Sequence, residues 1–449
     1  MWRGISMPCF FFKSTFMRFY LSATLIFVVL ITKGQVSRPG EALLKWQAGY
    51  LDIHHINTGR GNAAFFVLPD GTTMLIDAGE LSPLDERTFT PRNAQIRPDS
   101  SRKPYEWIVS YIRQVSPAAK IDYALITHFH DDHFGAWYPD APNSSSGKYK
   151  LSGITGVGEM MEIGLLIDRG YPDYNYPYDI RKSAAINGGG EIEFGQTMKH
   201  YFSFIEEQQR KGMKAASLKA GSRTQLLLLN KRAAYPSFYI QNVKCNQWIW
   251  TGKDSSFYPH FPPVDTGNRK TWPDENSLSL ALTVNYGPFS YYTGGDNPGM
   301  IFPGDSPLRD VETPIAKAVG EVDIAVTDHH GNRDAVNEFM AATLKPRIWI
   351  GQTWSADHPG HEVLLRMTGG YTYNGPRDLF STNMLDANRY VIGPMIDRSY
   401  KSQQGHIVVR VLPGGKTYYV IVLDDTVPQL KVKKVFGPYD SKINKANQH

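Results

Sequence analysis

The stretch "THFHDDHFGA" at residues 127–136 constrains this chain more than any other feature. It places three of the 13 histidines, with two aspartates, in six consecutive positions directly after the apolar run "IDYALIT" (121–127). That run predicts a buried strand. His128 and His130 then stand two apart in extended chain, so both imidazoles can point to one side. Asp132 and His133 follow one turn later and can face the same cavity. Imidazole and carboxylate without thiolate suit zinc, manganese or iron, and not calcium or an iron–sulfur cluster. Four candidate ligands are too many for one open catalytic ion with its water, so two divalent ions sharing a bridging group fit better. Zinc is the first expectation, with manganese or iron as alternatives.

A bridging carboxylate is expected from another strand end. "SYYTGGD" offers Asp296 after two glycines that let the backbone approach closely. The pair His329 and His330 in "VTDHHGN" follows an apolar strand and supplies the remaining position. Asp77 in "LIDAG" is the expected outer carboxylate that orients a ligating imidazole. A lone strand-end Asp is usually a cap, and a lone His pair usually means little. Four such signals in order, each closing an apolar strand, support one another. His358 and His361, on the loop after "PRIWIGQ", are placed to stabilise a developing oxyanion or protonate a leaving group. His54, His55, His200, His260 and His406 read as ordinary strand, helix or turn residues.

The pattern around these motifs is α/β. Residues 50–79 alternate strands with Gly-rich turns, including a hairpin at "PDG". "PYEWIVSYIRQV" (104–115) has helical spacing, with Trp107, Ile108, Tyr111, Ile112 and Val115 on one face. Residues 137–275 are the least regular and read as a long insertion that shapes a substrate mouth or pads the surface. Order returns in a strand pair turning at Gly287-Pro288, then two helix–strand–His units, then a hairpin over 405–425 that closes a sheet. The expected domain is therefore 45–425, with the insertion at 137–275 and a tail over 426–449.

The first 34 residues read as a secretory leader, with a start at either Met1 or Met17. Arg18 precedes an apolar run (21–31) too short to span a bilayer comfortably, and Thr32 and Gly34 fit a cut before Gln35. No later stretch is long and apolar enough to cross a membrane, so the mature chain is expected to be secreted or periplasmic. The net charge is +5, but Arg3, Lys13, Arg18 and Lys33 lie in the leader, leaving about +1. No dense Lys/Arg run follows, so a strong nucleic-acid signal is absent. Cys245 is the one cysteine after the leader, which excludes an intramolecular disulfide and a Cys-based zinc site.

"LIDAG", "THFHDDHFGA", "TGGD" and "DHHGN", in that order, resemble the metallo-β-lactamase superfamily. Within it, "HHINTGRGNAAFFVLPDGTTMLIDAG" and "DHPGHEVLLRM" look most like the soluble ComEC-type hydrolase domain. The resemblance implies a four-layer αββα sandwich with two metal ions at one sheet edge and a metal-bridging hydroxide. By that resemblance His128 and His130 hold one ion, Asp132 and His133 the other, and Asp296 bridges. His329 or His330 completes the second ion, and His330 is favoured because it directly precedes glycine. Asp132, His358 and His361 form the expected catalytic set. The chain departs from the pattern where many members carry a further His before the bridging Asp: only His200 and His260 stand there. Asn62 also replaces an Asp usual in the subgroup's glycine loop. The expected function is a secreted hydrolase of phosphodiesters or related phosphoryl esters, acting on a small molecule. The alternatives are a lactone, β-lactam or other acyl-ester hydrolase, for which the aromatics Tyr171, Tyr174, Tyr176, Tyr178 and Trp272 would suit, and a non-catalytic exported binding protein. An aromatic-walled cleft would favour acyl substrates, and arginines such as Arg269 and Arg333 near the metals would favour phosphate.

Overall fold

A computed structural model describes residues 36–182, 192–265, 267–268 and 271–442, together with Met1 and Gly4. The leader expected over residues 1–34 lies outside the described residues, apart from those two positions. Among the described residues no helix is long and apolar enough to cross a membrane.

The strands are β1 (Leu51–His55), β2 (Ala64–Val67), β3 (Thr73–Ile76), β4 (Lys120–Leu125), β5 (Glu162–Asp168), β6 (Lys214–Ser217), β7 (Phe238–Cys245), β8 (Trp248–Trp250), β9 (Phe257–Pro259), β10 (Ala281–Tyr286), β11 (Phe289–Thr293), β12 (Ile324–Val326), β13 (Ile348–Gly351), β14 (Asp378–Ser381), β15 (Tyr400–Ser402), β16 (His406–Val411), β17 (Thr417–Leu423) and β18 (Val432–Asp440). They form two nine-stranded mixed sheets, ordered β18-β17-β16-β1-β2-β3-β4-β5-β6 and β15-β14-β13-β12-β11-β10-β7-β8-β9. In each sheet an antiparallel part gives way to a parallel run: β3 to β6 in the first, β11 to β15 in the second.

The principal helices are α1 (Pro104–Val115), α2 (Asp131–Phe134), α3 (Gly153–Met160), α4 (Ile192–Arg210), α5 (Glu312–Val319), α6 (Glu338–Leu344) and α7 (His361–Thr368). The buried apolar side chains fall into three clusters. Alternation along the strands explains the partition, because successive side chains point to opposite faces. In β2, Phe65 and Val67 pack with Ile108 and Ile112 of α1 and Ile154 of α3. Its other face sends Phe66 into a second cluster with Leu282, Tyr291, Ile324 and Ile348 of the other sheet. The outward face of that second sheet, with Ala325 and Trp349, packs on Ile315 of α5, Met340 of α6 and Leu364 of α7.

α1 spans the residues its sequence spacing predicts, with Trp107, Ile108, Tyr111, Ile112 and Val115 all buried. The insertion and tail boundaries need correction. Residues 137–275 supply β5 and β6 to one sheet and β7, β8 and β9 to the other, so this span is integral to both. Nor does the first sheet end at Asp425: β18 pairs antiparallel with β17, and Leu43 donates its backbone N–H to Leu430. The hairpin β16–β17 lies inside the sheet, and β18 forms its edge.

Candidate metal centre

The parallel runs deliver functional groups at strand C-termini, the place where α/β sheets collect ligand-binding residues. Asp77 follows β3, and His128 to His133 follow β4. Asp296 follows β11, His329 and His330 follow β12, and His358 lies on the loop after β13. Both sheets therefore contribute to one locus.

The turn carrying Asp132 and His133 is short, and its backbone is fixed from outside. Asn62 and Ala78 donate their N–H groups to the carbonyls of Asp132 (2.7 Å) and His133 (2.8 Å), and Glu80 donates to Asp131 (2.9 Å). A Cβ at Gly61 or Gly79 would overlap the Asp132 carbonyl oxygen, so this close approach requires glycine at both positions. Asn62 acts here through its backbone, accepting from the Gly79 N–H at 2.8 Å as well. Gly295, with φ +59, lets Asp296 come up beside Thr127, where a Cβ would crowd the threonine side chain.

Two ligand groups converge. Asp132, His133, Asp296 and His330 form one, and His128, His130 and Asp296 form the other; within each, one potential ligand atom per residue lies within 4.8 Å of the rest. Asp296 belongs to both. His330 Nε2 lies 2.8 Å from Asp132 Oδ2 and 3.3 Å from Asp296 Oδ2, and His133 Nε2 lies 3.1 Å from Asp296 Oδ1. Yet His133 Nε2, His330 Nε2 and Asp296 Oδ1 are buried without a hydrogen bond of acceptable geometry. Atoms that crowd together without donating to one another are arranged for a shared cation, so the residues fit a metal ion. In the second group His128 Nε2 and His130 Nδ1 stand 3.1 Å apart, with His130 on the solvent side.

The opposite ring nitrogens are tied down, which fixes the tautomers. Asp77 accepts from His133 Nδ1 at 2.8 Å and also from the Thr127 N–H and Oγ1–H, at 2.8 and 2.9 Å. His330 Nδ1 donates to the Gln352 carbonyl at 2.9 Å, and His128 Nδ1 lies 3.2 Å from Thr127 Oγ1. Burial alone would push the Asp296 carboxyl up, but His133, His330 and His329 hold it well below the usual range. Burial likewise opposes a charge on His330, yet Asp296 and Asp132 raise it to about 10. The locus is strongly attractive to cations.

His329 belongs to neither group. Its Nδ1 lies 2.6 Å from Asp334 Oδ1, and Arg309 Nη2 donates to Asp334 Oδ2 at 2.7 Å. Its Nε2 faces Asp296 Oδ2 at 3.9 Å. His358 stacks on His330 with ring centroids 4.7 Å apart and accepts the Ser355 N–H on Nδ1 at 3.3 Å, which leaves the proton on Nε2. Burial, then His330, push its pKa down to about 3, which favours the neutral ring. His361 must be set aside: it opens α7 on the exposed surface and does not line the cavity, because the chain has already turned into the helix.

That cavity, of about 320 Å³, is lined by His130, Asp132, Asp296, His329, His330 and His358. The segment 81–93 also lines it, through residues that include Arg87 and Arg92. This segment is held over the site by backbone bonds from Ala94 to Trp354 and from Ala356 to Arg92, both 2.8 Å. Arg87 pairs with Asp85 at 2.6 Å and Arg92 with Asp357 at 2.9 Å; both guanidinium groups remain at least half exposed. Sequence reasoning missed these arginines, since nothing local marks residues 81–93 as facing a strand end 40 residues on. Arg333 does not line the cavity, and Arg269 lies outside the described residues. Trp354 is the one indole or phenyl ring among the described lining residues. The tyrosines of 171–178 and Trp272 lie elsewhere, Tyr178 stacked on Trp272 at 5.2 Å. His200 accepts from the Lys150 N–H and His260 lies 2.8 Å from the Leu308 carbonyl, so neither joins the ligands.

No protein-family model matches this chain. No curated protein matches it either. Among solved structures, it is similar to one from Parabacteroides distasonis ATCC 8503 described as a "Putative metal-dependent hydrolase", with 13% identity over 79% of this chain and 92% of the other, at a TM-score of 0.30.

Proposed function

We propose that this chain is an exported, dinuclear metal-dependent hydrolase of phosphodiesters or related phosphoryl esters, built as a four-layer αββα sandwich of the metallo-β-lactamase type. The observation that carries the substrate class is that Arg87 and Arg92 line the same cavity as the two ligand groups. Arg87 gives Asp85 its Nε and Nη2 and Arg92 gives Asp357 one Nη2 bond, and the guanidinium donors that remain suit phosphoryl oxygens better than an uncharged acyl carbonyl. The lone Trp354 gives little support to the apolar acyl alternative.

Two divalent ions, when bound, would supply Lewis acidity and an activated water. His128, His130 and Asp296 would hold one, and Asp132, His133, Asp296 and His330 the other, with zinc expected first. The remaining roles belong to side chains whose geometry is set by the fold. Arg87 and Arg92 orient the anionic ester. His358, neutral and fixed by Ser355, directs Nε2–H at a developing negative charge. His329, with Nδ1 bound to Asp334 and Nε2 3.2 Å from the Asn276 side-chain amide, would give the departing oxygen a proton from Nε2 when the imidazolium forms and the amide turns its oxygen to the ring. Against burial, Asp296 and then Asp334 favour the protonated form of that imidazole, and Asp334 holds it in one orientation.

The test is paired kinetics on an aryl phosphodiester and an aryl carboxylate ester, with the Arg87→Ala/Arg92→Ala double variant. The proposal expects phosphodiester turnover by the native chain and a KM raised at least about tenfold in the variant, the scale of one lost charged hydrogen bond. Preferential turnover of the carboxylate ester, unaffected by the variant, would move the assignment to acyl substrates.

A further inference from the structure

The two ligand groups are unequal: one has four residues, the other only three, including the solvent-facing His130. A three-residue group has no spare ligand, so its hold on an ion depends on how firmly its members are fixed beforehand. His128 and His130 flank Phe129, and Phe129 is gripped twice. Glu275 Oε1 accepts its backbone N–H at 2.8 Å, and the Arg169 guanidinium lies 4.5 Å from the centre of its ring.

Arg169 and Glu275 also hold each other. Arg169 Nε donates to Glu275 Oε1 at 2.7 Å and Nη2 to Oε2 at 2.6 Å, a two-pronged pair with the arginine only 2% exposed. Arg169 follows β5, the strand beside β4 in the first sheet, and its Nη1 donates to the Tyr176 carbonyl at 2.9 Å. Glu275 precedes β10 of the second sheet, and Asn246, from the β7–β8 turn of that sheet, donates to the Arg169 carbonyl at 2.6 Å. The neighbour of Glu275, Asn276, lines the metal cavity and lies 3.2 Å from His329 Nε2. Arg169 is taken out of water while the Glu275 side chain keeps 18% exposure. A charge buried this way is costly unless its pairing geometry is nearly ideal, as it is here. It joins the two sheets at the one backbone unit between the two imidazoles.

We propose that the Arg169–Glu275 pair is the positioning device of the His128–His130–Asp296 group and determines whether that group retains its ion. This rests on the two-ion reading above. Neither residue touches substrate; both act through Phe129. Arg169→Lys keeps the charge but loses the planar fork and the stacking on Phe129. Glu275→Gln keeps an acceptor for the Phe129 N–H but leaves Arg169 uncompensated. The double variant Arg169→Met/Glu275→Gln removes both charges together, so no buried charge is stranded if a single variant fails to fold.

The experiment uses the full chain equilibrated against a series of chelator-buffered zinc concentrations, with zinc per chain measured at each and folding followed by circular dichroism. Native protein is expected to fill in two steps. In the folded variants the weaker step moves to about 10- to 100-fold higher free zinc, the scale of losing a partner behind a metal ligand, while the tighter step stays in place. His130→Ala identifies the weaker step by removing it, and adding Arg169→Lys to His130→Ala then changes nothing further. A general loss of stability would move both steps. If both steps move together, or neither moves in the double variant, the proposal is overturned. If the native chain fills in a single step of one ion, the two-ion reading itself fails, and this inference with it.

Discussion

Replacing Asp334 by asparagine isolates the one proton-transfer group that the geometry singles out. In the native chain Asp334 bridges His329 Nδ1 at 2.6 Å and Arg309 Nη2 at 2.7 Å. Burial lowers the His329 pKa, but Asp296 and then Asp334 reverse that and hold it above the ordinary histidine value. Asparagine keeps the size and an acceptor oxygen but removes the charge that favours imidazolium, so the protonated fraction near neutral pH falls. Arg309 is not stranded, because Asp274 Oδ2 lies 3.1 Å from its Nε. A positioned general acid contributes roughly 10²–10⁴ in rate, which is about 3–5 kcal/mol of barrier. The assay compares kcat for two phosphodiesters, one with 4-nitrophenol and one with a simple alcohol as leaving group. Nitrophenolate departs without a proton and an alkoxide does not, so Asp334→Asn should slow the alcohol ester by two or more decades and the nitrophenyl ester by less than one. Equal losses on both substrates with unchanged metal content would refute the assignment of His329 as the acid.

Other consequences are open to direct measurement. His54, His55 and His406 are buried, and burial, the leading cause in each, depresses their pKa values to about 4, 3 and 4 from 6.5. The unfolded chain therefore binds more protons as pH falls below 6.5. Stability is full above that value and is lost on the way down to pH 4, by up to about 3 kcal/mol per residue. Denaturant unfolding between pH 7.5 and 5 should show this slope, and His54→Gln should reduce it by about one proton; an unchanged slope would contradict the burial argument. Gly79→Ala forces a Cβ into the Asp132 carbonyl and should lower metal content along with stability, whereas Gly40→Ala, open on all sides though at positive φ, should leave metal content at the native level. Asp77→Asn removes the carboxylate charge behind His133 Nδ1 and leaves one acceptor oxygen for the donors of Thr127 and His133, so it should weaken metal binding about 10- to 100-fold with secondary structure retained; native affinity in this variant would show that the carboxylate is not needed.

The sequence exposes this site because its chemistry is written at strand ends. Each apolar run is a strand, and the polar residues directly after it reach the same edge without any knowledge of the pairing. The helix over 104–115 was equally plain, since an apolar face at helical spacing needs no partner to be read. What stayed hidden depends on distant partners. β6 reads "KAAS" and β18 reads "VKKVFGPYD", and neither alternates strongly, because each lies at a sheet edge with one side against solvent. Residues 137–275 read as an insertion because long connections separate β4, β5, β6 and β7 from one another, and β7 from its partner β10, although the span completes both sheets. Arg87 and Arg92 reach the cavity through backbone bonds to residues 354–356, contacts that no local pattern encodes. His361 was misplaced because a loop and the first turn of a helix look alike when glycine and proline precede them.

The central claim is that Asp296 joins two metal-binding groups in one hydrolytic site. Its most direct test is metal per chain, by elemental analysis of protein purified without chelators, for the native chain beside Asp296→Ala, with turnover of an aryl phosphodiester followed in the same samples. The account predicts two ions and turnover in the native protein, and loss of both ions and of turnover in the variant with its fold intact. A native chain that binds no zinc, manganese or iron, or a variant that keeps two ions and full activity, would contradict it.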